Sequence, residues 1–171
     1  LFEENALAAA NLRRAALERG VESDRLVFAQ RMSLPDHLAR HRLADLFLDT
    51  LPYNAHTTAS DALWAGLPVV TRIGDNFAGR VAASMLQAVG LPELITPSAE
   101  AYLELALELA ADAPRLAAVR EKLGRNRMTH SLFDTQLFAR HIEAGYTAMW
   151  QRHQEGLPPA NISVHAAGPA A

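Results

Sequence analysis

Apolar positions along this chain recur in two rhythms, and the rhythms alternate. Residues 3–19 (EENALAAANLRRAALER) place Leu7, Ala10, Leu12 and Leu17 near helical spacing, and Gly20 is a suitable stop. RLVFA at 25–29 is a short, continuously apolar run, the pattern of a buried strand. Ser33 with Asp36 around Pro35 signals the start of a short helix running through His41. ADLFLD (44–49) is the next expected strand, followed by a helix at 58–65 that ends at Gly66-Leu67-Pro68. VVTRI (69–73) is another strand, a helix at 80–89 stops at Gly90-Leu91-Pro92, and ELIT (93–96) is the last strand.

Short, wholly apolar strands alternating with helices predict an α/β fold, a Rossmann-like parallel sheet covered by helices on both faces. Three helices follow: Ser98 to about Ala111, Asp112 and Pro114 to about Gly124, and roughly 134–154. The last aligns Leu137, Phe138, Ile142, Tyr146, Met149 and Trp150 along one stripe, a face that needs a partner surface. Residues 1–155 read as one lobe and 156–171 (GLPPANISVHAAGPAA) as a disordered tail. A chain that starts on a helix, and on Leu1 rather than Met, reads as part of a longer protein with at least one strand of its sheet upstream.

Composition narrows the chemistry. Half of the 171 residues are hydrophobic, a fifth are charged and the net charge is -3, a globular balance that points to neither nucleic acid nor anionic membrane. Cysteine is absent, which removes disulfides, thiolate catalysis and sulfur metal sites. No apolar run reaches the ~20 residues of a membrane span.

The most informative stretch is TLPYNAHTTASDALWAGLP (50–68), between an expected strand and an expected helix. In an open parallel sheet, ligands bind beyond the carboxyl ends of strands, where loops enter helix N-termini. Free N–H groups from Thr57 to Ala59 can take phosphate oxygens, the hydroxyls of Thr57 and Thr58 add donors, and His56 supplies another. Asp61, one turn in, can accept from sugar hydroxyls. The same residues also make a capping box, Thr58 with Asp61, beside a surface histidine. Two readings stand at this point.

His37 and Arg40, about one turn apart, can present an imidazole and a guanidinium to a planar base, or form a solvated basic face. His37 and His41 have the i, i+4 spacing of a zinc helix but lack a third ligand, so no metal is expected. IGDNFAGR (73–80) is a second strand-to-helix loop, whose glycines permit close backbone approach. Arg80 there can balance phosphate charge or join a surface salt bridge. Trp64 and Trp150 read as core or interface residues. No Ser-His-Asp order or carboxylate pair supports hydrolysis.

RLADLFLDTLPYNAHTTASDALWAGLPVVT, continued by AGRVAASML and LPELI, resembles the C-terminal lobe of the O-linked N-acetylglucosamine transferases over about residues 25–155. The resemblance implies one lobe of a two-lobed, cytoplasmic, bacterial GT-B glycosyltransferase, inverting and metal-independent, with no cofactor beyond its UDP-GlcNAc donor. It would transfer N-acetylglucosamine to Ser and Thr hydroxyls of proteins. Carried over, His56, Thr57 and Thr58 form a diphosphate cradle, Asp61 takes the ribose, His37 and Arg40 meet uracil, and Tyr53 lines the donor-sugar pocket. Related O-fucosyltransferases carry threonines and a Glu where this chain has His56 and Asp61, which favours a UDP-sugar. A family lysine expected near Leu34 is missing. The catalytic residues, a phosphate-binding lysine and tetratricopeptide repeats that recruit protein acceptors would lie upstream. Transfer of fucose or glucose, or a non-catalytic interaction module built on helix 134–154, are the alternative readings.

Overall fold

The computed structural model describes Leu1 and residues 5–164. The chain divides into two units, Leu1–Leu43 and the remainder from Ala44.

In the first unit, helix α1 spans Ala6–Leu17, capped by Asn5, whose side chain accepts from the Ala8 N–H at 2.8 Å. The run 25–29 does not form the expected strand. Ser23–Arg25 is a 3-10 turn, and Ala29 makes only an isolated bridge, its N–H donating to Leu1 O at 2.7 Å. An apolar run becomes a strand only where a neighbour supplies a ladder, and among the described residues Leu1 alone does so here. Helix α2, Leu34–Arg40, begins as its sequence predicts, with Ser33 accepting from the Asp36 N–H and Pro35 in the first turn.

The second unit is built on a parallel sheet in the order β1-β2-β3: Phe47–Leu48, Val69–Arg72 and Ile95–Thr96. Phe47 lies opposite Val69, and Thr71 opposite Ile95. Helices α3 (Thr57–Ala65) and α4 (Val81–Ala88) make the two crossovers, and both pack on β2 with α5 (Ala99–Ala111). The α/β parallel architecture is therefore as the alternation of patterns predicts. Around β2 lies the core: Leu63, Leu86, Leu91, Leu109 and Leu123, with Val69 and Val70, all but removed from water.

The Gly-Leu-Pro stop has one geometry in all three places. Gly66, Gly90 and Gly156 have φ of 85°, 73° and 67°, the left-handed region that a Cβ disfavours. The leucine after each donates its N–H five residues back: Leu67 to Ala62, Leu91 to Leu86 and Leu157 to Arg152, at 2.8, 2.8 and 3.1 Å. This is the 6→1 bond of a Schellman ending, which turns the chain off each helix in the same way.

Helix α6 covers Ala113–Asn126 behind its Asp112 cap, and α7 covers Thr135–Gln154 behind Asp134. No residue of α7 is buried, and Phe138, Tyr146 and Trp150 are each more than 60% exposed. Its apolar stripe is left uncovered by the described residues. Residues 157–164 carry neither helix nor strand; Arg152 Nε donates to Pro158 O, and a Cβ on Gly145 would stand 3.6 Å from Val164 Cγ2. The remainder of the tail, 165–171, lies outside the described residues. No described helix is long and apolar enough to cross a membrane.

Candidate functional site

Asp49 directly follows strand β1, and the next seven residues lead from the sheet to the start of α3. Asp49 is only 5% exposed, so its carboxylate must find donors within the protein. Oδ1 accepts the Ala55 N–H and Oδ2 the Thr71 hydroxyl, each at 2.7 Å. The Tyr102 hydroxyl, from α5, donates to the Asp49 carbonyl at 2.8 Å. Burial, and secondarily the Asp49 charge, push the Tyr102 phenol up to about 12.

Asn54, 1% exposed, holds the other side of this loop. Its N–H donates to Ala78 O at 3.0 Å and its Nδ2 to Thr50 O at 3.1 Å. That first bond joins the 50–56 loop to the second strand-to-helix loop, 73–80. There the two glycines pack against each other rather than leaving room for a ligand. A Cβ on Gly74 would stand 3.3 Å from Gly79 Cα, and one on Gly79 3.2 Å from Gly74 Cα. Arg80 Nη1 donates to Gly74 O, closing the same loop.

Helix α3 begins one residue earlier than its pattern predicts. Its cap is His56, which makes no capping bond with its side chain, and Thr58 falls at the second helical position. The capping-box reading, with Thr58 as cap residue, is therefore replaced. The first intrahelical bond runs from Ser60 N–H to His56 O, at 3.0 Å. The N–H groups of Thr57, Thr58 and Ala59 have no acceptor within the helix and carry the positive end of its dipole.

The Tyr53 ring stacks on the His56 imidazole with centroids 4.9 Å apart, and the Phe77 ring meets that imidazole edge-on at 6.0 Å. His56 Nε2 is buried between them and has no hydrogen-bond partner among the described residues. Asn54 Oδ1 is in the same condition. Both residues line a cleft of about 410 Å³, together with Tyr53 and Thr58 and the end of β1. A larger cleft, about 540 Å³, lies along α4 beyond Phe77 and is lined by Arg80, Ser84 and Gln87 among others.

Of the residues singled out in the sequence, Tyr53, His56 and Thr58 therefore share one cleft. Thr57 stands beside it in the first helical turn, and Asp61 one turn along α3. His37 and Arg40 belong to the first unit. There Arg40 Nη2 lies 2.7 Å from His37 Nδ1, and Arg40 Nη1 donates to Gln30 O. The ring of His41 meets that of His37 edge-on, its Nδ1 2.8 Å from the His37 carbonyl oxygen. Trp64 is not a core residue: half exposed, it packs against Phe133 and under Arg127 at the far end of α3. Asp49, Asn54, Phe77 and Tyr102 went unnoticed in the sequence. Asp49 had one signal there, a charge directly after an apolar strand.

The model of the family described as Glycosyl transferase family 41 matches residues 2–142. The UDP-N-acetylglucosamine--peptide N-acetylglucosaminyltransferase of Caenorhabditis elegans is 37% identical over 153 residues, 90% of this chain and 13% of that protein. A probable UDP-N-acetylglucosamine--peptide N-acetylglucosaminyltransferase of Arabidopsis thaliana is 39% identical over 150 residues, 87% of this chain and 15% of that protein. Among solved structures, a mutant O-GlcNAc transferase of Thermobaculum terrenum superposes with a TM-score of 0.81 at 39% identity, over 86% of this chain and 28% of that one. The chain thus spans only about an eighth to a quarter of the length of these proteins.

Proposed function

This chain belongs to glycosyl transferase family 41, and from that premise we propose that it is the nucleotide-binding part of a protein O-GlcNAc transferase. The donor is UDP-GlcNAc, and the acceptors are Ser and Thr hydroxyls of proteins. One observation carries the reading: the buried, unpartnered His56 Nε2 stands at the cleft beside the open N–H groups of α3. A diphosphate offers acceptors for both and is attracted by the helix dipole.

In this reading His56, Thr57 and Thr58 bind the diphosphate, Asp61 the ribose, and His37 and Arg40 the uracil. Tyr53, 66% exposed, faces the donor sugar. As the sugar leaves, negative charge grows on the diphosphate. Preorganised N–H donors and the imidazole stabilise it most where water is excluded. The chemistry is inverting and runs without a metal or other cofactor, in the cytoplasm. The group that activates the acceptor hydroxyl and the repeats that recruit proteins lie in the rest of the protein. The uncovered stripe of α7 supplies a surface for that part to pack on.

The test is titration calorimetry of the full-length protein with UDP, UDP-GlcNAc, UDP-glucose and GDP-fucose, alongside transfer of labelled sugar to protein. Binding and transfer of UDP-GlcNAc in preference to the others is expected. Preference for GDP-fucose or UDP-glucose would move the assignment to another donor, and binding of none would leave an interaction module.

A further inference from the structure

The 50–56 loop carries His56 but has little apolar anchoring of its own: Pro52 and Tyr53 are exposed, and Leu51 is partly so. Its geometry must come from hydrogen bonds. One carboxylate makes the two that matter. Asp49 Oδ1 takes the N–H of Ala55, the residue adjoining His56, while Oδ2 takes the hydroxyl of Thr71 on the central strand. Thr71 is itself held, since its carbonyl accepts the Thr96 hydroxyl from β3 at 3.0 Å. A line of bonds therefore runs from β3 through β2 to the peptide that precedes His56.

Asp49 also lines the cleft, but a carboxylate there would repel a diphosphate. Both its oxygens are already engaged with protein donors, which directs its influence to the loop. We propose that Asp49 is the positioning residue of this site: by holding the Ala55 amide it fixes the His56 ring and the first turn of α3 for an anionic ligand. This rests on the nucleotide reading above. Asn54 closes the loop from the other side, but its bonds go to Thr50 within the loop and to Ala78 of the 73–80 loop rather than to the sheet. Among the described residues it is Asp49 that ties the segment next to His56 to β2.

Two measurements on the full-length protein test this: hydrogen exchange of the 50–56 amides, and UDP titration. Asp49→Ala is expected to speed exchange in that segment about tenfold or more, as a local opening. It should also weaken UDP binding about tenfold, the scale of one lost charge-assisted hydrogen bond. Asp49→Asn keeps an oxygen for Ala55 and should restore most of both. Leu123→Ala, a core truncation, should lower the melting temperature and leave both readings unchanged. The double variant Asp49→Ala, His56→Ala should lose less UDP affinity than the two single losses added together, because part of the effect of Asp49 runs through His56.

Unchanged UDP affinity in folded Asp49→Ala, or a loss that adds fully to that of His56→Ala, overturns the proposal. Should Asp49→Ala fail to fold, the near-isosteric Thr71→Val releases the same anchor, and it too must weaken UDP binding and loosen 50–56. A wild-type protein that binds no UDP would instead remove the function proposed above. Exchange in the 50–56 segment would still show whether Asp49 holds the loop.

Discussion

The Tyr53 and His56 rings lie nearly parallel, 21° apart and 4.9 Å between centroids. Only Asn54 and Ala55 lie between them, yet the loop turns tightly enough to bring the two rings face to face. The stack fixes one plane of the imidazole, Phe77 closes its edge, and Nε2 is left buried without a partner. A buried polar atom with no hydrogen bond is costly, so its position favours a ligand that supplies an acceptor.

His56→Ala should therefore weaken UDP binding more than any other single change in this loop. Removing a hydrogen bond to a charged group costs about 1.5–3 kcal/mol, which is roughly ten- to a hundredfold in affinity. Asp61→Asn should cost less, because the amide retains an acceptor for ribose hydroxyls. Since His56 makes no capping bond, His56→Ala should leave the melting temperature almost unchanged. Calorimetric titration with melting curves checks both. Unaltered affinity in a folded His56→Ala protein would take the diphosphate away from this residue.

Tyr102 gives a pH signature. An unfolded tyrosine titrates near 10, whereas in the fold its phenol is pushed up to about 12. The folded state thus holds the proton more tightly. The group's contribution is intact below about pH 10 and is lost as pH rises toward 12. Tyr102→Phe should lower stability at pH 7 by about 1 kcal/mol, for the hydrogen bond to Asp49 O. It should also lose less than the wild type between pH 10 and 12. Denaturant titrations across that window compare the two, and equal alkaline losses would contradict the assignment.

Chelation should not touch the full-length enzyme. His37 and His41 have metal spacing, but each Nδ1 lies within hydrogen-bond distance of another group, Arg40 Nη2 and the His37 carbonyl. Sugar transfer measured with and without EDTA is expected to be equal. Activity lost in EDTA and regained with zinc or manganese would refute a metal-free mechanism.

Leu63 tests how firmly α3 is seated. It is fully buried among Leu67, Val69 and Leu86. Truncation to alanine deletes buried methyl groups and leaves a cavity, costing about 2–5 kcal/mol. Denaturation of Leu63→Ala should show a loss in that range. A loss below about 1 kcal/mol would mean that the helix rests on the sheet less tightly than its burial indicates.

Much of this architecture was determined by the chain locally. Three helices, α3, α4 and α7, stop at a Gly-Leu-Pro in which the glycine adopts a φ that a side chain disfavours, and the caps at Ser33, Ser98, Asp112 and Asp134 bond within three residues of themselves. Such signals act over one turn, so they can be read from neighbours in sequence. The three parallel strands were legible for a related reason, being short apolar runs that a sheet covered by helices demands. The run at 25–29 looked the same, yet among the described residues it pairs only with Leu1 and makes no strand. Tertiary structure alone also decided what holds the site. Asp49 meets Thr71 across 22 positions and Tyr102 across 53, while Phe77 reaches the His56 ring from another loop. No periodicity records such pairs, because a buried carboxylate is stabilised by whichever donors the folded sheet brings to it, and those donors are distant until the sheet exists.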